Sequence, residues 1–165
     1  MQIAQSYAQL IGQWRGQNLL HLSWENPPDK YSSSTLLVAA AAKEACLSFT
    51  YTWAHEGVPQ AGLIVLGYDD GQGVASAGFV DSWHQNSGIM HCKGSIQARD
   101  LQGLIDVRGS YAVPGHPDWG WRIVIEPTSH NNVVDTLQIR MYNCSPEGVE
   151  ELAVQGDYMR VQPDV

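Results

Sequence analysis

Apolar and polar side chains alternate with a period of two along most of the chain after residue 12. Phe49, Tyr51 and Trp53, for example, alternate with serine and threonine, which places the rings on one face of a strand and the hydroxyls on the other. The same alternation returns in residues 105–113, 119–126 and 137–141. Half-buried antiparallel strands have this pattern, whereas the strands of a parallel sheet carry continuous apolar runs.

Turn-forming residues separate these segments. Glycine, proline, asparagine and aspartate cluster at residues 56–57, 69–71, 86–88, 114–115, 130–132 and 146–148. Strands placed between the turns number about ten, at the spacing typical of an all-β barrel or sandwich. A long meander with one apolar face buries that face and removes its edges by closing on itself. We therefore predict an all-β fold, a closed up-and-down antiparallel barrel, with a two-sheet sandwich as the alternative.

Two segments carry helical features. Residues 3–11 have apolar side chains at helical spacing, which predicts one short amphipathic N-terminal helix. Residues 38–46 are rich in alanine, a strong helix former. Because the sequence on both sides favours strands, we interpret them as two strands that meet near Lys43 and Glu44. A helix inserted at the barrel mouth is the alternative.

The length and charge of the chain narrow its class. A chain of 165 residues suits one domain, residues 1–165, that is large enough to bury a core. Seventeen acidic against nine basic side chains give a net charge of −8, so the protein's field repels nucleic-acid phosphates and anionic membrane surfaces. We therefore expect neither a nucleic-acid nor a membrane partner.

The cysteines and the first residues bear on the compartment. Cys46, Cys92 and Cys144 show no CxxC spacing, and an odd number of cysteines cannot pair completely within the chain. A reducing compartment is the simplest interpretation. The first residues lack the basic start and the apolar stretch of a secretory signal. Together these features predict a cytoplasmic protein.

Several short motifs resemble those of known barrels. The segment at residues 10–16 contains a Gly-x-Trp sequence and resembles the start of the first strand in lipocalins, fatty-acid-binding proteins and their relatives, the calycins. Further motifs lie at residues 66–69, 79–84, 119–122, 141–143 and 158–160. Together they look like a bacterial family of uncharacterised lipocalin-like domains, over nearly the whole chain. The resemblance implies a closed calycin-type barrel with an N-terminal helix plugging one end, in a family without an established activity.

The resemblance also implies a structural pair. In calycins the tryptophan of Gly-x-Trp packs at the closed end beside an arginine from a late strand, and Trp14 and Arg160 occupy these positions here. Such a cation–π contact contributes about 0.5–2 kcal/mol. The signal peptide and disulfides of extracellular lipocalins are missing, which brings the chain closer to the intracellular binding barrels.

The inward phase of the strands is unusually aromatic. If apolar faces point inward, the interior receives Tyr51, Trp53, Phe79, Trp83, Met90, Tyr111, Trp119, Trp121 and Met141, with Asn143 in phase with Met141. Six tryptophans against two phenylalanines favour a pocket, because each buried indole N–H needs an acceptor. A small apolar or aromatic ligand would stack on these rings. The alternative is that the rings fill the barrel as core.

Asp81 is the most informative polar residue. It lies between Phe79 and Trp83 on the inward phase, where an ionised carboxylate is costly unless it is paired. Asn143 or a tryptophan N–H is the predicted partner. Burial would then raise its pKa towards that of a general acid or base. The alternative is a satisfied structural carboxylate or a strand-end cap.

The remaining candidate chemistry is weak. In a regular strand His84 would face away from Asp81, so the spacing predicts no Asp81–His84 pair. The histidines show no HxH or HExxH spacing, so we predict no metal site. Gly71-Gln72-Gly73 has no following helix to bind a phosphate, so we predict no nucleotide or other cofactor.

Four further polar residues occupy the alternate phase of two neighbouring strands. They are Arg122, Glu126, Arg140 and Tyr142, and Glu126 with Arg140 suits an exterior cross-strand pair. If the phase were inverted, these side chains would form an anion-binding cluster inside the barrel, like that of fatty-acid-binding barrels.

Three functions follow from this pattern. The leading hypothesis is a non-catalytic barrel that binds a small apolar or aromatic molecule, oriented by Asp81 and neighbouring N–H and hydroxyl groups. The second is a cofactor-independent isomerase, cyclase or decarboxylase that uses Asp81 as acid or base. The third is a solid barrel that serves as an interaction or assembly domain. Its partner could be a second copy of the chain, which would make the protein a homo-oligomer.

Overall fold

The computed structural model describes residues 5–69, 71–85, 88–97, 104–131 and 133–162. Within them, ten strands form one closed antiparallel barrel in which each strand pairs with its neighbours in sequence and β1 pairs with β10. The strands are β1 Gly12–His21, β2 Asp29–Ala41, β3 Cys46–His55, β4 Val58–Asp69, β5 Val74–Asp81, β6 Met90–Gln97, β7 Leu104–Tyr111, β8 Trp119–His130, β9 Val133–Cys144 and β10 Glu150–Arg160. The predicted up-and-down barrel is therefore confirmed and the sandwich alternative is wrong. The predicted turns at 69–71, 86–88 and 130–132 lie partly outside the described residues.

Among the described residues, the N-terminal helix ends earlier than the sequence predicts. A single helical turn, α1, covers Gln5–Ala8, while residues 3 and 4 of the predicted segment lie outside the described residues. The chain leaves this turn at Leu10 and enters β1 at Gly12, whose φ of 145° suits glycine. Residues 9–11 of the predicted helix are thus not helical, because β1 pairing begins before a second turn can follow. No helix among the described residues is long and apolar enough to span a membrane.

The alanine-rich segment is strand and turn, as interpreted. Val38 pairs with Phe49 and Ala41 with Cys46, so the segment contributes to the β2–β3 hairpin. The turn between them runs through Lys43, whose φ is 54°. Ladder hydrogen bonds and the burial of alternate side chains override the helix propensity of alanine here.

One end of the barrel is closed by contacts between the first and last strands. At the closed end, β1 starts and β10 finishes, and the Arg160 guanidinium lies 4.2 Å from the centre of the Trp14 ring. Arg160 also donates to the main-chain carbonyls of Val134 and Ile11, at 2.8 and 3.0 Å, and to that of Gln9. The pair implied by the resemblance is thus in contact, and it ties the N-terminal segment to the last strand.

The charged residues of β8 and β9 point outward. Arg122 forms two hydrogen bonds with Asp106, at 3.0 and 2.7 Å, and lies 5.6 Å from the Tyr142 ring centre. Arg140 pairs with Glu126 across the strands, as predicted. The inverted phase, with these groups inside the barrel, is therefore wrong.

Candidate functional site

The end opposite Trp14 is open, and we call it the mouth. It contains a cavity of about 390 Å³, the mouth cavity, where β5, β7 and β9 finish and β6 and β8 begin. Its walls are formed by Phe79, Trp83, His84, Gln85, Met90, Tyr111, Ala112, Trp121 and Asn143. Six residues predicted for the interior are among them: Phe79, Trp83, Met90, Tyr111, Trp121 and Asn143. His84, Gln85 and Ala112 were not predicted.

The other predicted residues lie outside the mouth cavity. Tyr51 and Met141 border a separate internal void of about 10 Å³, near the smallest that holds one water molecule. Trp53 and Asp81 are buried but do not line the mouth cavity. Trp119 is only half-buried at the start of β8. Among the described residues, the interior is thus packed around Tyr51 and Met141, and the larger space inside the barrel lies at its open end.

Ring contacts hold the mouth walls in place. Phe79 and Trp121 are stacked with their centroids 6.1 Å apart and their planes 9° from parallel. The His84 ring lies 4.8 Å from Trp83 and 5.3 Å from Trp121. These contacts leave each ring little rotational freedom, so the cavity presents preformed aromatic surfaces.

Asp81 is buried behind the cavity wall, with only 1% of its surface exposed. Its Oδ2 accepts hydrogen bonds from Tyr51 Oη at 2.8 Å and Trp53 Nε1 at 3.1 Å. Its Oδ1 accepts from the backbone N–H groups of Trp83 and His84, at 2.9 and 3.2 Å. The predicted tryptophan partner is confirmed as Trp53, and the carboxylate also caps the end of its strand, as the alternative proposed.

Asn143 is not the partner of Asp81. Its Oδ1 accepts a hydrogen bond from Tyr111 Oη at 2.9 Å instead. Both residues line the mouth cavity, so this bond fixes one side of its wall. Burial raises the pKa of Tyr111, and this phenol therefore stays neutral.

His84 lies beside Asp81, contrary to the prediction of opposite faces. Its Nδ1 is 3.2 Å from Asp81 Oδ1, and its side chain is 14% exposed. The reason is that β5 ends at Asp81 and the chain turns, with Gln85 N donating to the Asp81 carbonyl at 2.9 Å. The two-residue period applies only within a strand. An aspartate that ends a strand and bonds the N–H two residues later is a turn signal that the sequence did contain.

The pKa of Asp81 moves in the opposite direction to the prediction. Burial alone would raise it, but hydrogen bonds from His84, the Trp83 N–H and Tyr51, with the charge of His84, outweigh burial and lower the pKa. Asp81 is therefore ionised at neutral pH. Because a carboxylate can only accept, this hydrogen bond places a proton on Nδ1 of His84, and in the Nδ1–H tautomer of an imidazole Nε2 is the acceptor. Asp81 orients His84 and does not reach the cavity.

Two residues that line the cavity each carry a buried polar atom without a partner among the described residues. The atoms are Nε1 of Trp121, a donor, and Oε1 of Gln85, an acceptor. Buried polar groups without a hydrogen bond are rare in proteins and mark places where a ligand or water belongs. In the described part of the chain no three histidine, cysteine or acidic side chains are grouped to hold a metal ion.

Comparisons with known proteins give the family and the fold. The family model described as "Protein of unknown function (DUF1579)" matches residues 3–160. The structure is similar to the crystal structure of Rv2717c from M. tuberculosis, with a TM-score of 0.67 and 11% sequence identity, over 97% of this chain and 99% of that chain. This likeness shows a shared fold alone. No curated protein matches the sequence.

Proposed function

Since the chain belongs to the DUF1579 family of proteins of unknown function, we propose from its geometry that it binds a small, planar aromatic or apolar molecule in the mouth cavity. The observation that carries the proposal is the preformed cavity of about 390 Å³ between aromatic walls at the open end of the barrel. Ligand sites in proteins have volumes of about 300–1,000 Å³, mostly apolar walls and a few placed polar groups. His84, Gln85 and Trp121 supply the polar groups here.

The same proposal includes a lipocalin-like origin and a cytoplasmic location. The first is supported by the Trp14–Arg160 contact at the closed end, which lies where calycins place such a pair. The second is supported by the three cysteines, which are all free thiols.

Calorimetric titration with naphthalene tests the binding proposal. We expect one molecule to bind per chain, and we expect Ala112→Trp, which fills the cavity from its rim, to abolish binding. The matched control is Val65→Ser on the outer face of β4, where an exposed apolar groove would also attract naphthalene. Retained affinity in Val65→Ser supports the mouth as the site. Absence of binding to the wild type, or unchanged binding to Ala112→Trp, contradicts the proposal.

A second candidate function is proton transfer, and the Asp81–His84 pair favours it. A carboxylate that orients an imidazole beside a cavity is the arrangement of a general base. His84 Nε2 would remove a proton from a carbon next to a ketone, and the electron pair would move onto the carbonyl oxygen. Trp121 N–H would stabilise that oxygen until the proton returns. His84 thus takes the role that the sequence suggested for Asp81.

Exchange of the α-hydrogens of 1-indanone in deuterated water, followed by proton NMR, tests this candidate. We expect the wild type to accelerate exchange and His84→Gln to exchange at the buffer rate. If the wild type also exchanges at the buffer rate, the catalytic candidate is wrong for ketones of this class.

A further inference from the structure

We infer that the molecule bound in the mouth cavity is a phenol: a planar aromatic ring carrying a neutral hydroxyl that donates to His84 Nε2 and accepts from Trp121 Nε1. This inference rests on the proposed function and adds the chemical class of its ligand. It follows from the hydrogen-bonding capacity that the cavity wall leaves unused.

The first unused group is an acceptor. His84 lines the cavity, and its Nδ1 is occupied by Asp81 at 3.2 Å. No hydrogen bond among the described residues uses its Nε2. A ligand that makes full use of the neutral Nδ1–H tautomer therefore brings an O–H or N–H donor.

The second unused group is a donor. Trp121 is 4% exposed, and its Nε1 finds no acceptor in the described part of the chain. Its ring is held between Phe79 and His84, so the N–H cannot turn away to water without breaking these contacts. An oxygen on the ligand would satisfy it.

Charge decides which oxygen-containing group can bind to both His84 Nε2 and Trp121 Nε1. Lysine and arginine are missing from the described cavity walls, and the Asp81 carboxylate lies directly behind His84. The chain also carries a net charge of −8. A carboxylate or phosphate ligand would therefore meet repulsion with no cation to bind. An ammonium group cannot accept from Trp121.

A neutral hydroxyl donates and accepts at the same atom, and so it suits the two groups together. Attachment to an aromatic ring adds apolar and edge contacts with the rings of Trp83 and Trp121, which line the cavity. The His84 and Trp121 ring centres are 5.3 Å apart, so the two side chains are neighbours in the cavity wall. Gln85 Oε1 provides a further acceptor for a second hydroxyl or an N–H on the ligand.

Three ligands of almost equal shape test the inference by calorimetric titration of the full chain: naphthalene, 2-naphthol and 2-methoxynaphthalene. We expect 2-naphthol to bind about tenfold more tightly than the other two, since one net hydrogen bond of this kind changes affinity by that factor. His84→Phe and Trp121→Phe keep a ring at each position, and each should reduce the preference to about threefold or less. The wild-type comparison alone is sufficient if either variant fails to fold.

The outcomes separate the two proposals. Equal affinity of the wild type for all three compounds overturns the phenol inference but leaves aromatic binding intact. Failure of all three to bind overturns both. A preference for 2-naphthol that survives in both His84→Phe and Trp121→Phe also overturns the inference, because the hydroxyl would then be recognised elsewhere.

Discussion

The ring of Tyr51 lies directly over the backbone of Gly62, where any Cβ would overlap the ring. Tyr51 pairs with Gly62 across β3 and β4, and Gly62 pairs in turn with Asp81 across β4 and β5. The phenol therefore crosses one whole strand to donate to the buried carboxylate. Glycine in the middle strand makes this hydrogen bond possible, and with it the orientation of His84.

Gly62→Ala tests this arrangement. The new methyl group displaces the Tyr51 ring, so we expect the free energy of unfolding to fall by about 1–3 kcal/mol. We also expect weaker binding of 2-naphthol, because Asp81 loses a donor and holds His84 less firmly. Urea denaturation and calorimetry measure the two effects.

Gly78→Ala is the matched control on the neighbouring strand. A Cβ there meets only the Ile89 side chain, at 3.6 Å, which is an ordinary contact. We expect a change within about 0.5 kcal/mol. If Gly62→Ala is no more destabilising than this control, Tyr51 is not held as described.

Asp81→Asn should lower the free energy of unfolding at about pH 7 by about 1.5–3 kcal/mol. The buried carboxylate takes part in five hydrogen bonds, and the substitution removes the negative charge that strengthens them. The lowered pKa of Asp81 sets the pH dependence. Its ionised form stabilises the fold fully above the unfolded aspartate pKa of about 3.9, and this contribution is lost as pH falls through the lower folded-state pKa.

Urea denaturation curves at about pH 7 and about pH 3 therefore measure a difference between wild type and Asp81→Asn that narrows in acid. A difference that stays constant or widens towards acid would show that Asp81 does not ionise more readily in the folded protein.

Arg160→Lys should destabilise the closed end. Arginine donates to three main-chain carbonyls while stacking on Trp14, and a lysine ammonium cannot reproduce that planar arrangement. We expect a loss of about 1–3 kcal/mol in thermal or urea unfolding, with binding at the distant mouth unchanged. The exposed Arg15→Lys is the control and should have almost no effect. Equal stability of both variants would refute the role of Arg160.

Cys92 should resist thiol reagents in the native protein. It is 1% exposed on the inner face of β6, and burial raises its pKa to about 11. We expect Cys92→Ala to leave the rapid phase of reaction with Ellman's reagent unchanged, since the thiolate is the reactive form. Cys46→Ala, at a partly exposed position, should reduce it. A rapid phase that disappears with Cys92 would contradict the inward orientation of this side chain.

The sequence predicts the strands well because a barrel imposes one rule on every residue within a strand. Phe49 and Trp53 are buried as their two-residue period requires. Strand pairing also overrides the helix propensity of the alanines in residues 38–46. The rule fails at strand ends. His84 follows Asp81 in a turn, where the direction of a side chain depends on local hydrogen bonds.

The chemistry of Asp81 was not predictable for a different reason. Tyr51 and Trp53 come from β3, which is separated from Asp81 by β4, and only the register of three strands brings them together. Without these donors, burial would dominate the pKa. The size of the cavity could not be predicted from the sequence either, because it depends on how completely side chains such as Met141 fill the space below the mouth.

The indole N–H of Trp121 reports most directly on whether a phenol occupies the mouth. In a proton–nitrogen correlation spectrum of the labelled protein, Trp121→Phe identifies its resonance. We predict that 2-naphthol shifts this resonance downfield in a saturable manner, while that of Trp14, already bonded to the Leu10 carbonyl at 3.0 Å, stays in place. A Trp121 resonance that does not move at saturating 2-naphthol would contradict the account.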